Sequence, residues 1–194
     1  MSACGDIGFD VRDLHAHLMA YARGRTNDDA LACIIASWTY GGGALPAWLG
    51  LSAADFDELL AYHFPGARLW PRRLAPDVDP RRREEIGDLR RLMLTHRAER
   101  SPSEVWVADI VASACMASDH LWQDLGLWSR GDLSALLHGN FPELAARNTR
   151  DMKWKKFLYK QLCEGEGLYV CRAPSCQVCA DYARCFILPE EEGE

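Results

Sequence analysis

Residues 31–51 read LACIIASWTYGGGALPAWLGL, and residues 107–127, VADIVASACMASDHLWQDLGL, align to them without a gap. Eight of the 21 aligned positions are identical. The likeness continues after one inserted residue, where DFDELLAYHFP at 55–65 matches DLSALLHGNFP at 132–142. Because helical repeats bury their apolar stripes against each other, we predict two three-helix units, about 10–66 and 80–142, related by a pseudo-twofold axis.

The spacing of apolar residues and the helix-capping signals predict an all-α fold. No stretch shows the sustained alternation of apolar and polar residues that is typical of a half-buried strand. Residues 66–83 contain prolines and six arginines without a helical period, and we predict that they connect the two units. The predicted helices run from Asp10 to about Arg23, from Asp28 to Tyr40 with Asn27 as the cap, from Ser52 to before Pro65, from Asp79 and Pro80 through His96, from Ser101 onward, around Leu133 to Leu137, and from Asn148 to Gly165 or Gly167.

Size and charge restrict the class of protein. A chain of 194 residues with 48% apolar composition is long enough for one domain with its own core. The net charge of -6 argues against a general nucleic-acid binder, which needs a broad basic surface. No apolar run is long enough for a membrane span, and the acidic start, MSACGDIGFDVRD, lacks the features of a signal peptide. We therefore expect a cytoplasmic protein without a membrane segment, and a monomer, because the repeat closes a core within one chain.

The chemistry-bearing segment lies near the C-terminus. Four of the eight cysteines form a C-x4-C-x2-C-x5-C array. Four thiolates suit zinc or iron-sulfur chemistry and exclude magnesium and calcium. The uneven spacing resembles that of plant-type ferredoxins and favours a cluster, with structural zinc as the alternative. We expect residues 165–194 to form a cluster-binding loop packed on the helical domain of residues 1–164. The predicted ligands are Cys171, Cys176, Cys179 and Cys185, with Cys163 as a spare ligand or a buried helix cysteine.

Two further groups of residues are candidate contacts. Cys115, Asp119 and His120 stand where the first copy of the repeat has Thr39, Gly43 and Ala44. They are either a buried thiol, a helix cap and a surface histidine, or secondary metal contacts. A basic group near the array is either a solvated face or a docking patch for an oxyanion or an acidic partner. This group consists of Lys153, Lys155, Lys156 and Arg172.

The chain resembles the NifQ family of nitrogen-fixation proteins. The resemblance rests on the cysteine array, on MKWKKFLY at 152–159, on ADIVA at 108–112, on LP and WLGL within 45–51, and on DHLWQDLGL at 119–127. It implies a molybdenum-iron-sulfur cluster carrier that donates molybdenum to the assembly of the nitrogenase iron-molybdenum cofactor. It further implies that Cys171, Cys176, Cys179 and Cys185 hold the cluster, and that the partners are cofactor-assembly proteins and molybdate or another molybdenum source.

The resemblance implies a carrier rather than an enzyme. No phosphate-binding loop or catalytic triad is readable from the order of the residues. We hypothesise that His120, with Asp119 or Cys115, completes or gates the molybdenum vertex, because the first copy of the repeat lacks these side chains. The competing interpretation is a zinc-stabilised helical module that recruits a protein partner.

Overall fold

The computed structural model describes residues 10–69 and 80–166, and these residues form helices and turns without any β-strand. The all-α prediction is therefore confirmed for this part of the chain. None of its helices is both long and apolar enough to cross a bilayer. Its α-helices are α1 (Val11–Tyr21), α2 (Asp28–Thr39), α3 (Ala53–His63), α4 (Arg83–Thr95), α5 (Ser103–Ala114), α6 (Leu121–Asp124), α7 (Arg130–Asn140), α8 (Pro142–Ala146) and α9 (Trp154–Glu166), and its 3-10 helices are Ala47–Gly50 and Pro80–Arg82.

Local capping explains where several helices begin. Asp10 caps α1 by accepting the backbone N–H groups of Arg12 and Asp13, and the Asp13 carboxylate accepts the N–H of Asp10 in return. This reciprocal pair is a capping box, and it satisfies N–H groups that have no partner within the helix. Ser52 and Ser129 cap α3 and α7 by accepting from the backbone three residues later. The predicted starts of α1 and α3 are confirmed to within one residue.

The predicted role of Asn27 as the cap of α2 is wrong. Its side chain makes no capping bond and lies buried between α2, α5 and α7. The Asn27 amide nitrogen donates to Ser103 Oγ at 2.8 Å and to Asn140 Oδ1 at 2.7 Å, and Asn140 donates back at 2.8 Å. The turn before α2 uses Asp28 instead, whose carboxylate accepts the N–H of Arg25 at 2.7 Å. The polar atoms of a buried amide side chain need hydrogen-bond partners, and for Asn27 these partners lie on α5 and α7.

Other boundaries differ because turns replace predicted helix. Asn148 binds the backbone N–H and carbonyl of Met152 at 2.9 and 3.0 Å, so residues 148–152 form a turn and α9 begins only at Trp154. Of the predicted connector at 66–83, residues 66–69 and 80–83 are described, and Pro80–Arg82 forms a 3-10 turn that leads into α4. The short helices α6 and α8 were not predicted.

The two predicted units show matched local features. Helices α3 and α7 are each 11 residues long, and each ends at a phenylalanine with nearly the same backbone angles, φ −131° and ψ 57° at Phe64 and φ −132° and ψ 60° at Phe141. Gly50 lies against Ser113, and at the aligned position of the other copy Gly126 lies against Ser37. Such reciprocal contacts support a pseudo-twofold arrangement, which stays a prediction.

One apolar core extends through the described residues from α1 to α9. Helix α1 packs on α2, α4 packs on α5, and α9 packs on α4. Its largest fully buried side chains include Trp38, Phe56, Phe64, Phe141, Phe157 and Tyr159. This core holds α9 in place, and α9 leads into the cysteine-rich segment.

Candidate metal centre and the helix that leads to it

The predicted ligands Cys171, Cys176, Cys179 and Cys185, together with Arg172, lie outside the described residues. Their role as a metal centre stays a prediction. Within residues 10–69 and 80–166, no group of three or more histidine, cysteine, aspartate or glutamate side chains is arranged to hold a metal ion. The described part of the chain therefore contributes the surroundings of the predicted centre and any secondary contacts.

Helix α9 ends at Glu166, five residues before Cys171. Its apolar face is buried in the core through Trp154, Phe157 and Leu158, which follow helical spacing. The Trp154 indole N–H also donates to Ser134 Oγ at 2.9 Å. The residues that lead into the cysteine array are thus attached to the helical body on two sides, by apolar packing and by polar contacts.

Lys155 provides the strongest of these polar contacts. The residue is only 7% exposed, and its ammonium group donates to the carbonyls of Ala117 and Asp119 at 2.9 and 2.8 Å. It also donates to Asp124 Oδ2 at 2.5 Å, where both side chains are nearly inaccessible. Burial raises the pKa of Asp124, and the hydrogen bond from Lys155 acts in the opposite direction. All three ammonium protons have acceptors, so this lysine joins α9 to the loop between α5 and α6.

A second polar contact lies one turn further along α9. The hydroxyl of Tyr159, which is buried, donates to Glu85 Oε1. Glu85 also accepts from Arg82 at 3.1 Å, and Arg82 donates to the carbonyl of Met116. Burial is the main cause that raises the pKa of Tyr159, so the phenol stays protonated and remains a donor. This network joins α9, the start of α4 and the end of α5.

Cys115 is completely buried beside this network. Burial raises the pKa of its thiol to about 12, so the group is protonated at neutral pH. Metals bind the thiolate, and a thiol held in its protonated form is a poor ligand. This environment favours the buried-thiol interpretation of Cys115. Cys33 lies in a similar setting, with a pKa raised to about 12 and its Sγ 3.6 Å from the carbonyl of Gly126.

Asp119 and His120 lie on the surface of the same loop. The Asp119 carbonyl is held by Lys155, and the His120 backbone N–H donates to Gln123 Oε1 at 3.3 Å at the start of α6. Their backbone is therefore fixed while their side chains face solvent. The structure separates these two exposed side chains from buried Cys115, although all three lie within six residues.

The remaining candidates lie on α9 and just before it. Lys153 is exposed, Lys156 is half-buried, and Cys163 is half-buried near the end of the helix. Each of the three makes interactions with its surroundings. Of the three described lysines in the predicted docking group, Lys153 faces solvent most, whereas the ammonium of Lys155 is directed inwards.

The place of His63 near a helix end predicts, from the sequence alone, a surface or capping histidine, and this prediction is wrong. The side chain is fully buried, and its Nδ1 lies 2.6 Å from Asp28 Oδ1. Its Nε2 is buried without a hydrogen-bond partner. The spacing carried a usable signal, because His63 follows Phe56 by seven residues and Leu59 by four, which places it on the buried face of α3.

Comparison with known proteins places the cysteine array in context. The sequence profile of the NifQ family matches residues 30–187, a range that includes α9 and all four cysteines of the array. The chain belongs to the NifQ family. It is similar to Protein NifQ of Azotobacter vinelandii, with 46% identity over 84% of this chain and 89% of that protein. It also resembles Protein NifQ of Rhodobacter capsulatus, with 41% identity over 74% of this chain and 78% of the relative.

The NifQ likeness extends to a third relative. Protein NifQ of Klebsiella pneumoniae is 35% identical over 75% of this chain and 90% of its own length. No solved structure matches the chain. The family resemblance inferred from the motifs is thus confirmed over most of the chain.

Proposed function

We propose that this protein carries a molybdenum-iron-sulfur cluster and donates its molybdenum to the assembly of the nitrogenase iron-molybdenum cofactor. Membership of the NifQ family associates the chain with nitrogen fixation. The observation that carries the proposal is that the family match extends through residue 187 and so includes the complete cysteine array. The cluster is cargo in this proposal, and the chain is a carrier rather than an enzyme.

The donor chemistry of the array supports an iron-sulfur cargo. Cysteine thiolates hold the iron of sulfide clusters, whereas molybdenum also accepts oxygen and nitrogen donors. Four cysteines within fifteen residues supply the soft donors, Cys171, Cys176, Cys179 and Cys185. The described residues add exposed oxygen and nitrogen donors at Asp119 and His120, beside the beginning of α9.

Covalent reach allows the array to meet these donors. From Lys155 to Glu166, α9 rises about 17 Å at about 1.5 Å per residue. The five residues from Glu166 to Cys171 span at most about 17 Å when extended. We therefore propose that the cysteine segment returns along α9 and that His120, with Asp119, completes the molybdenum vertex. The protonated, buried thiol of Cys115 makes it the weaker candidate.

Positive charge near the array would favour an anionic cargo or incoming molybdate. Lys153 is exposed one residue before α9, and Arg172 follows the first cysteine of the array. We propose that these two attract the anion or an acidic surface of the recipient assembly protein, whereas the Lys156 ammonium is buried and contributes less. Such attraction between exposed charges weakens as salt increases. Lys155 contributes by holding α9 on the loop that carries Asp119 and His120.

The proposal is tested by analysing iron, sulfide, molybdenum and zinc in protein purified without oxygen, together with its visible spectrum. We expect a brown protein with iron, sulfide and molybdenum, and we expect Cys176→Ala to lose all three. Cys4→Ser, which alters a cysteine outside the array, is the matched control and should keep them. A colourless protein with one tightly bound zinc and no sulfide after anaerobic reconstitution would instead support the zinc-stabilised interaction module.

The secondary contact is tested separately by His120→Ala. The variant should keep its iron and sulfide while molybdenum content and molybdenum delivery to the assembly proteins fall. His138→Ala, which removes another exposed histidine, should behave like the parent. Full molybdenum content and full delivery in His120→Ala would refute the role of His120 without affecting the carrier proposal.

A further inference from the structure

A cleft of about 220 Å³ opens between α2 and α7. Its lining is mixed, with apolar side chains beside two carboxylates and an indole. Trp128 is 44% exposed, which is unusual for so large an apolar side chain. The residues that matter here are Asp29, Ala30, Cys33, Trp128, Asp132 and Leu136. None of these residues is among the predicted metal ligands, and the proposed function does not use them.

The repeat explains why a cleft exists here. Extending the ungapped alignment one residue upstream pairs Ala30 of α2 with Trp106 of α5, and the later part pairs Gly139 of α7 with Tyr62 of α3. The rings of Trp106 and Tyr62 pack edge to face at 5.7 Å in the groove between α3 and α5. In the corresponding groove between α2 and α7 both rings are replaced by small residues. Ala30 lines the cleft, and the position aligned with it in the other half carries the large Trp106 side chain.

The half with the filled groove also holds an arginine, Arg90 of α4, against α5. Arg90 Nε lies 2.7 Å from Asp109 Oδ1, and Asp55 is close enough to act electrostatically on the Asp109 carboxyl. In the aligned sequences Asp109 corresponds to Cys33, and Asp55 corresponds to Asp132. The cleft therefore lacks the carboxylate that pairs with Arg90 and keeps the one that corresponds to Asp55.

The charged groups around the cleft leave a place for a cation. Asp29 is exposed and pairs with His15 Nε2 at 3.0 Å, so only part of its carboxylate is occupied. Asp132 is exposed, and no basic side chain in residues 10–69 or 80–166 forms an ion pair with it. The Trp128 ring packs against His15 at 4.9 Å and lies beneath the Arg12 guanidinium at 5.4 Å. The indole therefore already contacts basic groups, and Asp132 is left as the unpaired carboxylate of the cleft.

We propose that this cleft binds the side chain of an arginine presented by a protein partner. The apolar side chains of the lining suit the aliphatic stem, Asp132 suits the guanidinium, and the part of the Trp128 indole that stays exposed suits its planar face. Tryptophan and arginine are the residue types most enriched among those that dominate protein interfaces. The net charge of -6 further favours a basic partner surface. This inference goes beyond the proposed function and does not depend on the cluster.

The chemistry of the cleft is tested by NMR titration with Nα-acetyl-arginine amide. Its shifts should concentrate at Ala30, the Trp128 indole N–H and Asp132, and the uncharged isostere Nα-acetyl-citrulline amide should bind at least several-fold more weakly. Asp132→Asn should weaken binding by roughly threefold to fivefold, as expected for loss of one exposed ion pair. Glu58→Gln, on the exposed face of α3, should change nothing. Equal binding of both ligands, or no effect of Asp132→Asn, would overturn the proposal.

A filling variant tests the same cleft by shape. Ala30→Trp places in α2 the side chain that α5 carries at the aligned position, and it should abolish the titration shifts while circular dichroism shows an unchanged helix content. If this variant does not fold, Asp132→Asn still decides the outcome. A folded Ala30→Trp that binds the arginine probe as the parent does would overturn the proposal.

The identity of the occupant as a protein is tested by photo-crosslinking. A p-benzoylphenylalanine at Ala135, an exposed residue of the cleft, should crosslink a partner protein in the cells that make the chain. The crosslinked peptide should contain an arginine, and the yield should fall when Asp132→Asn is added. Crosslinking that is absent, or that is insensitive to Asp132→Asn, would overturn the assignment to a protein partner even if the free arginine probe binds.

Discussion

A charged side chain is stable in a protein interior when partner groups replace the water it loses, and Lys155 meets this condition with three acceptors. Two of them are carbonyls of the loop before α6, and the third is the buried Asp124 carboxylate. Removing one member of such a set leaves the others buried without a partner. Lys155 therefore fixes α9 against α6 and the loop before it.

We predict that Lys155→Met lowers the free energy of unfolding by about 3 to 5 kcal/mol, the usual result of breaking a buried ion pair from one side. Urea denaturation followed by circular dichroism measures this change. Lys160→Met, on the same helix, is the matched control, because Lys160 forms only a half-exposed pair with Glu164 at 3.5 Å. The control should lose no more than about 0.5 kcal/mol. Equal losses of unfolding free energy in Lys155→Met and Lys160→Met would show that the buried contacts of Lys155 do not stabilise the fold.

His63 makes stability depend on pH. Burial lowers the pKa of His63 below its ordinary value of 6.5, although its hydrogen bond to the Asp28 carboxylate acts in the opposite direction. The unfolded state therefore binds this proton more tightly than the folded state does. The free energy of unfolding should consequently fall as the pH falls below about 6.5.

The variant His63→Asn should have a smaller decrease in unfolding free energy on going from pH 7 to pH 5 than the parent. Asparagine is the residue at the aligned position, Asn140, so the exchange introduces a side chain that the other half accommodates. His138→Asn replaces an exposed histidine and should keep the pH dependence of the parent. If His63→Asn and His138→Asn lose the same unfolding free energy between pH 7 and pH 5, the pH dependence does not come from His63.

At the scale of elements, close backbone approaches at two glycines position the halves. Gly126 has a φ of +75°, and a Cβ there would lie 2.7 Å from Ser37 Cβ. Gly50 has a φ of +88°, and a Cβ there would lie 2.1 Å from Ser113 Oγ. Neither position offers room or a favourable backbone conformation for a side chain.

We predict that Gly126→Ala and Gly50→Ala each lower the free energy of unfolding by at least about 2 kcal/mol, from left-handed strain together with overlap. Gly87→Ala is the control, because Gly87 lies inside α4 and a Cβ there meets nothing within 4 Å. The control should be more stable than the parent by about 0.5 to 1 kcal/mol, from helix propensity. Thermal and urea denaturation measure these changes. An equal change in unfolding free energy in all three variants would contradict the close contacts at Gly126 and Gly50.

Helix starts could be predicted where a cap lies within a few residues in the sequence, as at Asp10 and Ser52. The role of Asn27 could not, because its partners Ser103 and Asn140 are 76 and 113 residues away in the chain. The start of α9 was also misplaced, because the side chain of Asn148 stabilises a turn where the spacing allowed another helical turn. Local hydrogen bonds therefore explain the correct boundaries, and competing side-chain bonds explain the wrong ones.

At the scale of the whole molecule, the core of the described residues is continuous from α1 to α9. If the array holds cargo, replacing all four with serine should remove the iron but leave the helical body folded. We predict a loss of less than about 1 kcal/mol in the free energy of unfolding, because a cluster carried as cargo is not needed to hold the helical body together. A structural zinc clip would instead give a large loss, because zinc binding then contributes folding energy.

The sequence by itself determined the helical class, the repeat, the family and the cysteine array, because each depends on residue types at short, regular spacings. The tertiary structure alone decided that Lys155 is held inwards by Asp124, that Cys115 is a buried thiol while Asp119 and His120 face solvent, and that His63 pairs with Asp28. It also decided that Ala30 lines an open cleft between α2 and α7. These outcomes depend on which side chains, far apart in the sequence, pack together in the fold. A residue pattern along the chain does not show which of them meet.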